Sequence, residues 1–188
     1  QAEYGPHEGP LREDAPNCPT TLYGVTKLCA CMLAQHLCAT AGIRFAWLRL
    51  FSAYGPTDDP SWMIPYLTLR LSAGERPALT AGRQRWDYVY VDDAAEAIVR
   101  VAETPTATGI FNLGSGRTAT IREIAERIRD LVNPAAELGF GEVPYRPDQV
   151  MHLEADISKL TAATGWTPRT SLDEGLKQTI DSYRRTRT

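Results

Sequence analysis

The chain has 188 residues, 43% of them apolar, with 4 cysteines and a net charge of −3. That size and apolar share allow one sizeable core or the halves of two subdomains. The slight negative charge leaves no electrostatic footprint for nucleic acid. No run of about 20 apolar residues offers a membrane span and no signal peptide is visible, so a soluble cytoplasmic protein is expected.

Residues 1–19, rich in Pro and Gly, read as a loop that arches over a ligand. Thr20 and Thr21 can cap a helix running to about Ala41, which Gly42 ends in the C′ role. Cys29, Cys31 and Cys38 fall within that helix and Cys18 ahead of it. Their spacing lacks the paired-ligand pattern of a zinc site, so no metal is expected and the thiols read as buried or half-buried. Ile43 to Leu50 alternates as a strand whose C-terminal end delivers Phe51 and Ser52, and ligands of doubly wound sheets bind off such ends. Ser61 to Ala73 reads as a helix, with Pro65 tolerated in its first turn or kinking it.

Residues 86–90 read as a strand, which sets Arg85 and Trp86 on opposite faces. Asp92 caps a helix to about Glu103, and Gly109 to Leu113 forms a short strand. Gly114-Ser115-Gly116 follows that strand as a tight turn. It is not read as a dinucleotide cradle, because no acidic residue ends a second strand about 20 positions on. Thr120 and Glu123 form a capping box for a helix to about Val132. Asp156 caps residues 157–164, and Ser171 with Glu174 boxes the last helix. Strands alternating with helices imply an α/β fold.

The chemistry concentrates in Tyr23-Gly-Val-Thr-Lys27. Positions i and i+4 share a helix face, so the Lys27 ammonium can lie beside the Tyr23 phenol, and a nearby opposite charge favours the ionised form of such a group. A phenol so placed can act as general acid or base in an alcohol/ketone interconversion. By itself the spacing is common on amphipathic helices. Here it stands in order with Tyr4-Gly5, Leu48-Arg49-Leu50-Phe51-Ser52-Ala53-Tyr54-Gly55-Pro56, Trp86-Asp87-Tyr88-Val89-Tyr90-Val91-Asp92-Asp93 and Phe111-Asn112-Leu113-Gly114-Ser115-Gly116.

Together these motifs resemble the extended short-chain dehydrogenase/reductase family of nucleotide-sugar epimerases, dehydratases and ketoreductases, over nearly the whole chain as far as Gly165-Trp166-Thr167-Pro168. The resemblance implies the C-terminal part of a Rossmann-like doubly wound domain plus a smaller α/β substrate-binding subdomain. Residues 1–58 would be the remainder of the dinucleotide-binding domain, and residues 59–188 mostly the substrate-binding subdomain, with segments near 86–113 returning to the Rossmann sheet. The family's N-terminal Gly-rich turn is absent from the sequence. The family's Ser or Thr beside the substrate oxygen would fall one position ahead of Gln1, so the chain is expected to be part of a larger enzyme.

By the same resemblance Tyr23 and Lys27 are catalytic and, with Phe51 and Ser52, contact NAD or NADP. Tyr54, Arg85, Trp86 and Arg146 are the candidate substrate contacts. Two departures stand out: Trp86 occupies the place of a frequent diphosphate-gripping Arg, and Ser52 that of a frequent Asn. Dehydratases of the family place acidic residues where this chain has Gln1 and Ala2, neither of which can shuttle a proton. Glu3, one step later, reads as a loop or strand-end carboxylate. The expected activity is reduction of a 4-keto-6-deoxyhexose on a nucleoside diphosphate, with NADPH favoured, and 4-epimerisation is the alternative. A noncatalytic binding module or an inactive fragment is the reading from another class. A homodimer is expected through the apolar face of residues 28–38.

Overall fold

The computed structural model describes residues 1–186. Its elements in chain order are α1 (Leu22–Ala41), β1 (Ala46–Leu50), β2 (Ala53–Tyr54), α2 (Met63–Ser72), β3 (Ala78–Leu79), β4 (Arg85–Trp86), β5 (Val89–Tyr90) and α3 (Val91–Glu103). There follow β6 (Gly109–Leu113), β7 (Ala119–Thr120), α4 (Ile121–Val132), β8 (Gly139–Phe140), β9 (His152–Leu153), α5 (Ser158–Thr164) and α6 (Leu172–Thr186). The fold is α/β, and most strand pairs are parallel. β1 pairs with β6 in register Arg49↔Asn112, β2 with β5, and β3 with β8. β4 lies between parallel β9 and antiparallel β7.

Three apolar clusters hold these pieces together. Ile64, Leu67 and Leu71 of α2 interlock with Ile124 and Ile128 of α4 and with Leu176 and Ile180 of α6. Ala94, Ala97 and Val101 of α3 cover Phe111 and Leu113 of β6, joined by Leu160 and Trp166. The helical spacing of these residues puts them on single faces, which is what drives each helix onto its neighbour. Tyr4 and Leu11 from the N-terminal loop meet Phe51, Leu153 and Ala155 in the third cluster.

The expected caps hold at several helices. Thr21 accepts from the Gly24 amide at 3.1 Å, and Gly42 ends α1 in the left-handed region at φ 66°. Thr120 and Glu123 make the reciprocal box at α4, and Ser171 accepts from the Glu174 amide at 3.2 Å. Asp156 accepts from the Ser158 amide at 2.9 Å, although α5 itself begins one residue later than expected.

Other expectations need correction. α3 starts at Val91 with Tyr90 in the cap position and no side-chain cap. Asp92 therefore lies inside the first turn, where a carboxylate suits the helix dipole, and Asp93 accepts instead from the Thr170 amide at 2.9 Å. α2 starts at Met63, because the Ser61 hydroxyl is engaged by Asp59 at 2.7 Å. Strand β1 begins at Ala46 and not at Ile43. Residues 86–90 are not one strand: Asp87 and Tyr88 separate β4 from β5. The thiols also differ, since Cys18 and Cys29 are exposed, Cys38 is half-buried and Cys31 is buried.

Asp87 explains both the strand break and the glycine-rich turn. Its carboxylate, fully buried, accepts from the Ser115 amide at 2.7 Å, the Ser115 hydroxyl at 2.6 Å, and the Gly116 and Ala155 amides at 3.0 Å each. The N–H groups of Ser115 and Gly116 are thus directed at an internal carboxylate, in the manner of an anion nest. A Cβ on Gly114 would lie 2.7 Å from Asp87 Oδ2, so only glycine admits this approach. Burial pushes the Asp87 carboxyl above its ordinary range, against the pull of these donors. Asp87→Ala strands three backbone N–H groups at about 1 to 3 kcal/mol each. A loss of at least 3 kcal/mol in urea unfolding is the expected result (~3 kcal/mol as the lower bound).

Candidate active site

Tyr23 and Lys27 sit in the first two turns of α1, on the face that overlooks the C-terminal end of β1. The Lys27 ammonium lies 5.4 Å from the Tyr23 ring centroid, so the pair shares a face as its spacing requires. The Tyr23 ring is 64% exposed and, among the described residues, its hydroxyl has no hydrogen-bond partner. It stands at the mouth of a cleft of about 680 Å³ lined by Gln1, Ala2, Phe51, Ser52, Trp62, Trp86 and Tyr88, among others. A second cleft of about 310 Å³ continues past Lys27 to Trp47 and Arg49, and the two share Gln1, Ala2, Tyr23 and Leu50.

Gly24 brings α1 to this position. A Cβ there would lie 2.3 Å from the Ala2 carbonyl oxygen and 3.0 Å from Pro19 Cβ, so its absence lets the helix start abut the N-terminal segment. Gly24→Ala forces one of them to move. Overpacking of this kind typically costs about 1 to 3 kcal/mol, and thermal unfolding is expected to show the loss.

The N-terminal segment is itself clamped by paired residues of β1 and β6. Glu3 accepts from Arg49 Nε at 2.8 Å and from Trp47 Nε1 at 2.9 Å. Tyr4 donates to Asn112 Oδ1 at 2.6 Å while its ring lies 4.4 Å from the Arg49 guanidinium carbon. Asn112 in turn donates to the Leu11 carbonyl oxygen at 2.8 Å, and its amide N–H to Glu13 at 2.8 Å. Sequence reading took Glu3 as a loop or strand-end carboxylate and missed this clamp. Its only signal was an Arg at an inward position of an otherwise apolar strand.

The candidate contacts divide. Phe51, Ser52 and Trp86 line the cleft with Tyr23, and Trp86 Nε1 donates to Ser52 Oγ at 2.9 Å. Trp86 and Tyr88 also line a neighbouring pocket of about 200 Å³ that reaches Arg117 and Arg127. Tyr54 lies elsewhere: it is buried, donates to the Leu172 carbonyl oxygen at 3.3 Å and meets Tyr88 and Tyr90 edge-on. Burial, followed by the Tyr90 phenol, pushes its own phenol well above the ordinary range. Arg85 is exposed and donates to Thr118 Oγ1 at 2.8 Å, away from the Tyr23 cleft. Arg146 is exposed in the loop after β8 and lines neither cleft beside Tyr23.

Tyr23 with Lys27 in one cleft, and Tyr23 with Phe51 and Trp86 in the adjoining one, supply the phenol, ammonium and aromatic groups that a nicotinamide and its ribose would need. Among the described residues the glycine-rich turn is filled by Asp87 and offers no pyrophosphate cradle. No group of three or more His, Cys, Asp or Glu among them is placed to hold a metal ion. None of the helices described is long and apolar enough to cross a membrane.

Several known proteins resemble this chain. CDP-abequose synthase of Salmonella muenchen is 28% identical over 138 residues, which cover 72% of this chain and 47% of that one. UDP-glucose 4-epimerase of Thermotoga maritima, solved with UDP-glucose, superimposes with a TM-score of 0.90 at 29% identity, over 100% of this chain and 62% of that one. UDP-glucuronic acid 4-epimerase of Bacillus cereus, solved with UDP-glucuronic acid and NAD, gives a TM-score of 0.90 at 27% identity, over 98% of this chain and 59% of that one. The chain spans about half the length of the curated relatives it matches. The family model of the NAD dependent epimerase/dehydratase family matches residues 1–114, more than half of the sequence, and the chain belongs to that family.

Proposed function

We propose that this chain is the substrate-side portion of an NAD(P)-dependent enzyme that acts on a nucleoside diphosphate sugar, reducing a 4-keto-6-deoxyhexose. The observation that carries the reading is the Tyr23 and Lys27 pair, with Tyr23 where two clefts meet, one lined by Lys27 and the other by Phe51, Ser52 and Trp86. Bound NADPH would supply the hydride. Tyr23 delivers its phenolic proton to the ketone oxygen as that oxygen gains charge. Lys27 stabilises the phenolate left behind and holds the ribose hydroxyls. Phe51 and Ser52 flank the reacting end, and Gln1 and Ala2 offer no acid for elimination of water. Residues 1–58 and strand β6 serve the cofactor side, and the α2, α4 and α6 cluster serves the sugar nucleotide. Arg85 and Arg146 would reach the diphosphate only from outside the Tyr23 cleft.

A second reading, 4-epimerisation, is supported by the likeness to the two 4-epimerases. It uses the same proton transfer in both directions. The test separates the two: the enzyme is incubated with NADPH and a 4-keto-6-deoxy nucleotide sugar, or with UDP-glucose and catalytic NAD. Consumption of NADPH supports the reductase. Appearance of the C4 epimer without net change in cofactor supports the alternative, and the absence of both results overturns both readings. The proposed homodimer would use α1, where Leu22, Met32, Leu33 and Leu37 are 81%, 62%, 66% and 66% exposed.

A further inference from the structure

The cleft of about 680 Å³ beside Tyr23 holds one carboxylate that the mechanism leaves unused. Asp58 is the only Asp, Glu, Lys, Arg or His among the residues that line it, and it shares that wall with Trp62, Met63, Ile64 and Tyr88. Its Oδ1 accepts from the Asp59 amide at 2.8 Å, and among the described residues no cation pairs with it. A carboxylate offers about four acceptor sites and no hydrogen. Asp58 therefore keeps acceptor capacity open to the cleft.

The backbone holds it there. Thr57, at φ 62°, is the one non-glycine among the described residues in the left-handed region, a conformation that persists only where the surroundings enforce it. The Asp58 carbonyl oxygen accepts from the Tyr183 hydroxyl of α6 at 2.8 Å, and Asp59 accepts from the Ser61 amide and hydroxyl at 2.8 and 2.7 Å. Burial, followed by the Asp58 charge, pushes the Tyr88 and Tyr183 phenols above their ordinary range. The charge is thus felt at the cleft wall.

A nucleoside diphosphate sugar carries its negative charge on the diphosphate, and a further anionic group beside Asp58 would meet like-charge repulsion in a partly desolvated space. An uncharged hexose brings hydroxyl hydrogens instead. Trp62, 65% exposed on the same wall, offers an apolar ring face to go with them. We propose that Asp58 is a specificity-determining residue, which accepts from a hydroxyl at the sugar end of the ligand and rejects hexuronates. This rests on the nucleotide-sugar reading above.

Calorimetric binding of UDP, UDP-glucose and UDP-glucuronate tests it, because the two sugar probes differ at a single carbon. Wild type is expected to hold UDP-glucose about 10- to 100-fold more tightly than UDP-glucuronate, the size of one like-charge contact near a protein surface. Asp58→Asn keeps an acceptor for the Asp59 amide, and it is expected to bring that ratio within about threefold while binding UDP as wild type does. In wild type the ratio is also expected to shrink as ionic strength rises from about 0.01 M to about 1 M. A wall that discriminates by shape alone would not respond to salt. A wild-type ratio near one, or a ratio unchanged in Asp58→Asn, overturns the proposal, while UDP binding still upholds the reading beneath it. If Asp58→Asn loses UDP as well, the salt response of wild type decides: a shrinking ratio upholds the proposal and an indifferent one overturns it. Binding of none of the three probes by wild type overturns both.

Discussion

Tyr23→Phe is expected to lower turnover by about 10² to 10⁴-fold, the range for loss of a positioned general acid, while leaving stability and ligand affinity nearly unchanged. The second half of that expectation gives the first its force. The Tyr23 ring is 64% exposed and its hydroxyl has no partner among the described residues, so its removal breaks no contact within the fold. Exposed substitutions of this kind stay within about 0.5 kcal/mol. A large kinetic loss beside an unmoved unfolding curve therefore assigns the hydroxyl to chemistry. Retained turnover would remove Tyr23 as the proton donor and with it the proposed mechanism. Lys27→Met should behave differently, lowering both turnover and cofactor affinity, because in the proposed mechanism one ammonium serves the phenol and the ribose.

The reach of the sequence differs between local and distant contacts. Thr21, Gly42, the Thr120 and Glu123 box and the Tyr23 and Lys27 face are all set within a few residues, and spacing alone predicts them. The Asp87 nest joins residues 28 and 68 positions apart along the chain, through Ser115 and Ala155. No local pattern encodes it, although the glycines of the turn were legible as a turn. Tyr54 was placed at the ligand by motif, yet its edge-on packing against Tyr88 and Tyr90 turns it inward. Asp92 looked like a cap, but Tyr90 leaves β5 directly into α3 and takes the cap position first. In each case a tertiary neighbour outbid a local preference.

The buried ion pair at the N-terminal segment carries a large expected effect on stability. Arg49 and Glu3 side chains are 1% and 5% exposed and meet at 2.8 Å. Arg49→Met keeps much of the side-chain volume but leaves the Glu3 carboxylate buried with only the Trp47 indole to bond. Breaking such a pair from one side costs about 3 to 5 kcal/mol, because the remaining charge is uncompensated. Glu3→Gln should cost less. It leaves the guanidinium its contact with the Glu13 carbonyl oxygen at 3.4 Å and the Tyr4 ring, and the amide keeps an oxygen for Trp47. Replacing both, as Glu3→Leu with Arg49→Met, is expected to recover most of the loss, since paired removal abandons no charge. Urea unfolding of these proteins and of the single variant Glu3→Leu reads these differences directly, and a loss in the double variant equal to the sum of the Glu3→Leu and Arg49→Met losses would deny the coupling. The same clamp sets Gln1 and Ala2 against Gly24 and Tyr23. Arg49→Met should therefore also weaken ligand binding at the cleft under conditions where the protein stays folded, which ties the stability of this segment to the shape of the site.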